Sequence, residues 1–163
     1  MARSKENLYI VLNTQFNPPR DFSDKTIKYG LPQKTNLHDR NTTVRISGVA
    51  GRGYYGDVDV YYNRLDISDI VPLFEFRSQK ELNRENVVTG LRNKHEIDIE
   101  PVDFDPFTLP PLEDGEVLER LFQVSANSLQ WTGKLNAVLE FGPSWLDTVI
   151  KNTDLTVQRH PND

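Results

Sequence analysis

The sequence contains two segments of alternating apolar and polar residues joined by a run of glycines. This pattern strongly limits the folds that the protein can adopt. Residues 42–49 alternate apolar and polar side chains, with Val44 and Ile46 on one face. Residues 57–67 repeat the period of two, with one slip near Asn63. A period of two is typical of a half-buried β-strand. The two segments therefore predict an antiparallel hairpin in a mainly β protein.

The connection between these strands carries glycines in the Gly-x-Gly-x-x-Gly pattern of nucleotide-binding loops: Gly51, Gly53 and Gly56. A dinucleotide site needs a helix directly after the glycines, whereas here a strand follows. A protein kinase places such a loop between two strands, but His38-Asp39-Arg40 has the wrong order for its catalytic loop. Asp103-Phe104-Asp105 lacks the glycine of its metal-binding triplet. We therefore interpret the glycines as residues with positive φ in a hairpin connection, and we expect no nucleotide or other cofactor.

The rest of the chain predicts two helices and a second hairpin. Residues 4–16 carry apolar side chains at helical spacing, and we favour a helix there, although the apolar run at residues 8–12 would also suit a buried strand. Ser78 followed by Glu81 has the spacing of a capping box and predicts a helix near residues 79–92. Residues 121–141 predict a hairpin. We expect an α+β fold that is mainly β with one or two helices: an antiparallel β-sandwich-like domain built from hairpins, with extended terminal arms.

Polar, proline-bearing segments divide the chain into three parts. Residues 1–40 are predicted to form an N-terminal helix and an extended arm, with a candidate short strand at residues 26–29. Residues 41–141 are predicted as the β-rich core domain, and residues 142–163 as a C-terminal docking tail. A long loop usually has a task, such as lying across a neighbour, but wrapping on its own domain is an equal alternative for this arm. We expect truncation of either end to leave a folded domain that has lost its assembly contacts.

Composition disfavours several classes of function. The 163 residues include no cysteine and carry a formal net charge of −5. Thiolate chemistry is therefore excluded, and a basic face for nucleic acid is disfavoured. No apolar run approaches the roughly 20 residues needed to span a bilayer. We expect neither nucleic acid nor a membrane as a partner.

The search for catalytic groups finds one acidic cluster. Four carboxylates alternate along one segment: Asp98, Glu100, Asp103 and Asp105. Such carboxylates could hold a divalent cation or act as a catalytic pair. The same pattern is expected on an edge strand that turns Ile97 and Ile99 inward and its acids to water. The histidines show no metal-ligand spacing: His38, His95 and His160. We favour the solvated edge strand and predict no catalytic residue, no metal site and no enzyme.

The order of several segments along the chain matches a known pattern of strands, loops and a helix. They are the strand at residues 42–49, the Gly53-Tyr54-Tyr55-Gly56 loop with the strand at residues 57–67, a capped helix, and the segment at residues 128–135. Together they resemble a β-rich module of virion structural proteins of large tailed bacteriophages, over residues 41–141. The resemblance implies a non-enzymatic virion protein, made in the bacterial host cytoplasm. Its partners would be other virion structural proteins or copies of itself, with a tail, baseplate or neck position favoured over capsid decoration.

Under this interpretation the functional residues are contacts between proteins. The interface candidates are aromatic and apolar residues of the arm, the two hairpin loops and the tail: Tyr29, Leu31, Tyr54, Tyr55, Trp131, Trp145, Leu146 and Ile150. Aromatic side chains are frequent interface anchors. The alternative is a carbohydrate- or ligand-binding β-sandwich in which exposed Tyr54, Tyr55 and Trp131 stack on sugars. An enzyme that uses the acidic segment is the third hypothesis.

Overall fold

The computed structural model describes residues 3–142 and confirms the predicted fold class: the protein is α+β, mainly β, with a β-sandwich-like architecture. The strands are β1 (Ile27–Tyr29), β2 (Gln33–Lys34), β3 (Thr42–Gly48), β4 (Asp57–Tyr62), β5 (Leu65–Asp66), β6 (Phe74–Ser78), β7 (Val117–Gln123), β8 (Trp131–Thr132) and β9 (Lys134–Phe141). The helices are α1 (Arg3–Phe16), α2 (Ile67–Ile70) and α3 (Arg84–His95), with 3₁₀ turns at Leu37–Asp39 and Pro101–Asp103.

The first sheet is organised around β3. This strand pairs antiparallel with β4 along one edge and with both β1 and β2 along the other. The β3–β4 register places Val44 opposite Val60 and Ile46 opposite Val58, so these four side chains share one face. The predicted first hairpin is therefore confirmed. The predicted N-terminal helix is also confirmed, and α1 packs on this face of the sheet.

The segment that we interpreted as an extended arm lies on its own domain. β1 and β2 fall within it, and both pair with β3. Ile27 of β1 is buried with Tyr9 and Leu12 of α1. The division of the chain at residues 40 and 142 stays a prediction. Because of these contacts, we expect removal of residues 1–40 to unfold the first sheet.

A second sheet and α3 enclose the main core. β9 lies between β6, to which it is parallel, and β7, to which it is antiparallel. The β7–β9 pair is the predicted second hairpin, while the intervening β8 leaves it to pair in parallel with β5. Val88 and Leu91 of α3 are buried in this core, as is Leu82 just before the helix. The buried apolar side chains of α3 therefore face the second sheet.

Polar contacts join the first sheet to the second hairpin. The Tyr62 hydroxyl of β4 donates to the Leu129 carbonyl at 2.6 Å. Burial raises the pKa of Tyr62 to about 12. This side chain therefore remains a hydrogen-bond donor at neutral pH and fixes the position of the loop before β8.

The predicted start of the second helix is wrong. Ser78 ends β6, and α3 begins at Arg84 after the N-cap Asn83. The Asn83 side chain accepts a hydrogen bond from the Asn86 amide at 2.9 Å, which satisfies a free donor of the first turn. The apolar segment before α3 forms the strand β6. Phe74 and Phe76 turn toward the core because alternate side chains of a strand share one face, and β6 pairs in parallel with β9.

The predicted edge strand at the acidic segment is also wrong. Residues 97–100 form no strand, and a 3₁₀ turn follows at Pro101–Asp103. Asp103 is buried, and its carboxylate accepts hydrogen bonds from the Glu100 amide at 2.9 Å and the Ser128 hydroxyl at 2.7 Å. One of the four acids expected in water is therefore a structural group that fixes this turn to the second hairpin.

Candidate protein-binding groove

An apolar groove of about 410 Å³ lies between α1 and the glycine-rich loop. We call it the α1 groove and define it by six of its lining residues: Leu12, Phe16, Ile46, Tyr54, Tyr55 and Val58. Its volume is in the range of pockets that hold a small ligand or a few side chains of a partner, roughly 300–1,000 Å³. Its walls come from the helix, the sheet face beneath it and the loop after β3.

The groove exists because α1 covers only part of the sheet face. Ile46 and Val58 are paired across β3 and β4 and share that face, yet Ile46 is 7% exposed and Val58 is 58% exposed. The helix ends at Phe16, and Pro18-Pro19 prevents it from continuing over β4. Phe16 itself is 57% exposed. The end of the helix and the uncovered part of the sheet therefore present apolar side chains to solvent side by side.

The glycine-rich loop forms one end of the groove. Gly51, Gly53 and Gly56 have φ angles of +72°, +105° and +85°, a region that side chains disfavour. The interpretation of these glycines as hairpin residues is therefore confirmed. Gly48 serves a different purpose, since a Cβ there would collide with the Tyr54 carbonyl oxygen. Its bare backbone lets the loop fold back onto the sheet.

The two loop tyrosines have different surroundings. The Tyr54 hydroxyl donates to the Arg20 carbonyl at 2.5 Å and accepts from the Arg20 amide at 3.2 Å. The Tyr54 ring packs on Phe22, with centroids 5.2 Å apart. Tyr55 is 100% exposed and also lines the groove. Tyr54 therefore anchors the loop, while Tyr55 is free to contact another molecule.

The opposite face of the first sheet is charged. Arg45 and Asp59 are direct neighbours across β3 and β4, and Arg45 Nε lies 2.9 Å from Asp59 Oδ1. The hydrogen bond from Arg45 lowers the pKa of the Asp59 carboxyl below its usual range. The sheet is therefore amphipathic, and the α1 groove lies on its apolar face.

The structure does not bring all the interface candidates together at this groove. Leu31 is exposed beside Arg45 on the charged face. Tyr29 packs inward on Tyr9, with ring centroids 4.9 Å apart, and burial raises its pKa. The buried Tyr29 hydroxyl has no hydrogen-bond partner among residues 3–142.

Trp131 lies in the core rather than on the surface. It is 2% exposed, and its Nε1 donates to the Asp98 carbonyl at 2.8 Å. The side chain belongs to the main core cluster, so it is not available as a surface contact. The tail candidates lie outside the described residues: Trp145, Leu146 and Ile150.

Phe16 and Val58 are the groove residues that sequence reasoning missed as contacts. Both follow a period that predicts burial, helical for Phe16 and alternating for Val58. The sequence feature that could have indicated their exposure is Pro18-Pro19, because these prolines limit how far the helix reaches over the sheet. In the described part of the chain, no three acidic or histidine side chains are arranged to hold a metal ion. Across residues 3–142, every helix is too short or too polar to cross a membrane.

A family model matches residues 1–163, and its description is a family of unknown function, DUF7941. The chain belongs to this family. No curated protein and no solved structure matches it.

Proposed function

We propose that this DUF7941 protein is a non-enzymatic structural component of a tailed-bacteriophage virion, which binds a neighbouring virion protein through the α1 groove. The observation that carries the proposal is the apolar sheet face that α1 leaves uncovered at Val58. The resemblance of residues 41–141 to virion modules supports the setting. A tail, baseplate or neck position is favoured over capsid decoration.

The exposed side chains at the groove suit a protein partner. Phe16, Tyr55 and Val58 are large apolar or aromatic groups that reach solvent around one concave site. Contiguous apolar patches of this kind mark interaction sites, and tyrosine is enriched among the residues that dominate binding energy. A partner side chain that enters the groove would remove these surfaces from water.

The edge of β4 offers a second means of attachment beside the groove. Among the described residues, β4 pairs with β3 alone, so its outer backbone groups have no strand partner. An extended segment of another protein can add to such an edge through main-chain hydrogen bonds, while alternate side chains enter a neighbouring pocket. We infer that the partner contributes an extended segment with apolar side chains.

The sugar-binding alternative has less support. It requires several aromatic faces in solvent, at Tyr54, Tyr55 and Trp131. Trp131 is buried and Tyr54 is half-buried against Phe22, which leaves Tyr55 as the one fully exposed ring of the three. One exposed ring is a poor platform for a carbohydrate, so we retain protein binding.

Val58→Asp is expected to reduce incorporation into particles at least about tenfold while the protein still folds, because the variant places an unpaired carboxylate in an apolar contact. The side chain is already 58% exposed, so the free fold loses little. The measurement is the amount of each variant in purified particles after complementation of a phage that lacks the protein. Val117→Asp is the matched control, since Val117 is also a strand valine with 58% exposure but lies outside the groove. Normal incorporation of Val58→Asp, or equal loss of both variants, would contradict the proposal.

A further inference from the structure

A second pocket, of about 510 Å³, shares no lining residue with the α1 groove. Arg64, Lys34, Lys134 and Thr132 contribute to its walls. We propose that this pocket binds an oxoanion, a phosphate or carboxylate group, with the Arg64 guanidinium as its central donor. The proposal is independent of the α1 groove and of a role in virions.

The fold holds Arg64 rigidly at the pocket. Its backbone lies in the short connection between β4 and β5. There the Asn41 side chain accepts a hydrogen bond from the Arg64 amide at 2.8 Å and donates one to the Arg64 carbonyl at 2.9 Å. The side chain is 7% exposed. Nε donates to the Thr42 hydroxyl at 3.0 Å, and Nη1 donates to the carbonyls of Ala126 and Ser128 at 3.2 and 3.1 Å.

These contacts leave part of the guanidinium available. A guanidinium carries five N–H donors in a planar fork. All the partners of Arg64 in the described residues are neutral oxygens, and none accepts from Nη2. Nη2 is also not among the fully buried atoms that lack a partner, so it retains contact with solvent. Because Arg64 lines the pocket, we infer that its Nη2 group faces the pocket.

Arg64 also lacks a compensating charge. No carboxylate within residues 3–142 forms an ion pair with it. Burial lowers the pKa of the guanidinium, but arginine stays protonated in proteins at neutral pH. A buried charge without a counter-ion is costly, and an anion in the pocket would offset that cost.

The other charged groups make the pocket electropositive. Lys34 and Lys134 add two exposed cations, while Asp105 adds one carboxylate. Three cations against one carboxylate leave a formal charge of +2, in a chain whose net charge is −5. The Thr132 hydroxyl adds a neutral donor. A planar fork with flanking ammonium groups is the arrangement that proteins use for phosphates and carboxylates.

The test is calorimetric titration of the full chain with inorganic phosphate and, separately, with an acetylated hexaglutamate peptide, at low ionic strength. We expect saturable binding at one site, accompanied by a shift of the Arg64 Nε–H resonance but not that of Arg52. Saturation by phosphate alone identifies a phosphate-bearing ligand. Saturation by the peptide alone identifies an acidic protein segment, and saturation by both supports the shared oxoanion chemistry.

The double variant Lys34→Gln/Lys134→Gln should weaken binding at least about tenfold, because it removes two of the three cations without touching the core. Lys25→Gln/Lys28→Gln is the matched control, since it makes the same charge change at exposed lysines outside the pocket. Equal weakening by the two double variants would show a non-specific charge effect and overturn the site. Absence of saturable binding to either probe would also overturn it.

Discussion

Replacing Trp131 with alanine is expected to destabilise the fold by about 3–5 kcal/mol, the usual cost of removing a large aromatic side chain from a core. Trp131 is 2% exposed and is among the largest fully buried side chains. Its indole also donates to the Asp98 carbonyl at 2.8 Å, so the substitution leaves a cavity and removes the donor to a backbone acceptor. Chemical denaturation monitored by circular dichroism measures the change.

Tyr55→Ala is the control for this experiment. Tyr55 is 100% exposed, so its removal should change the free energy of unfolding by no more than about 0.5 kcal/mol. The pair of variants separates a core role from an interface role for Trp131 and Tyr55, which the sequence predicted as interface candidates. A Trp131→Ala protein as stable as Tyr55→Ala would show that Trp131 does not pack in the main core.

Deleting residues 1–40 is expected to unfold the first sheet while the second sheet persists. The deletion removes α1, β1 and β2, so β3 loses every strand partner on one edge and the helix that covers Ile46. What remains of this sheet is the two-stranded β3–β4 hairpin, and such hairpins are marginally stable at best in water. This result differs from our sequence-based expectation of a folded remainder, because that expectation treated the segment as a separate arm.

Hydrogen exchange measures the effect strand by strand. Amides of β3 should exchange about a hundredfold faster or more in the truncated protein, whereas amides of β9 should keep most of their protection. Deletion of residues 143–163 serves as the comparison, and we expect it to leave both sheets protected. Unchanged protection of β3 after the N-terminal deletion would show that the first sheet does not need residues 1–40, in agreement with the sequence-based prediction that residues 41–141 form a self-sufficient core domain.

The sequence predicted the parts of the fold that depend on local periodicity. The alternation of Val44 and Ile46 with polar neighbours fixes which side of β3 faces the core, and the glycines after it allow only a few connections. Both features act over a few residues, so they are visible without knowing the rest of the structure. The same holds for α1, whose apolar spacing and terminal prolines mark its extent.

Other features depend on distant partners and could not be predicted in this way. Ser78 has a plausible local capping pattern, but pairing of its segment with β9, some sixty residues later, makes it the end of a strand. Asp103 is buried against the loop at residues 125–128, where the Ser128 hydroxyl donates to its carboxylate. The exposure of Val58 depends on where α1 stops above the sheet. Arg64 is held at its pocket by the carbonyls of Ala126 and Ser128, which lie 62 and 64 residues later in the sequence.

The most direct test of the α1 groove as a protein-binding surface is photocrosslinking in assembled particles. Tyr55 is replaced by p-benzoylphenylalanine, which puts the reactive group at a fully exposed position on the groove. The same group at Leu121, 54% exposed on the second sheet and outside the groove, is the control. We predict that irradiation joins the position-55 variant to one defined virion protein or to a second copy of the chain, and that the control gives no such product. Absence of the chain from particles, absence of a crosslink at position 55, or the same crosslink from both positions would contradict the proposed function.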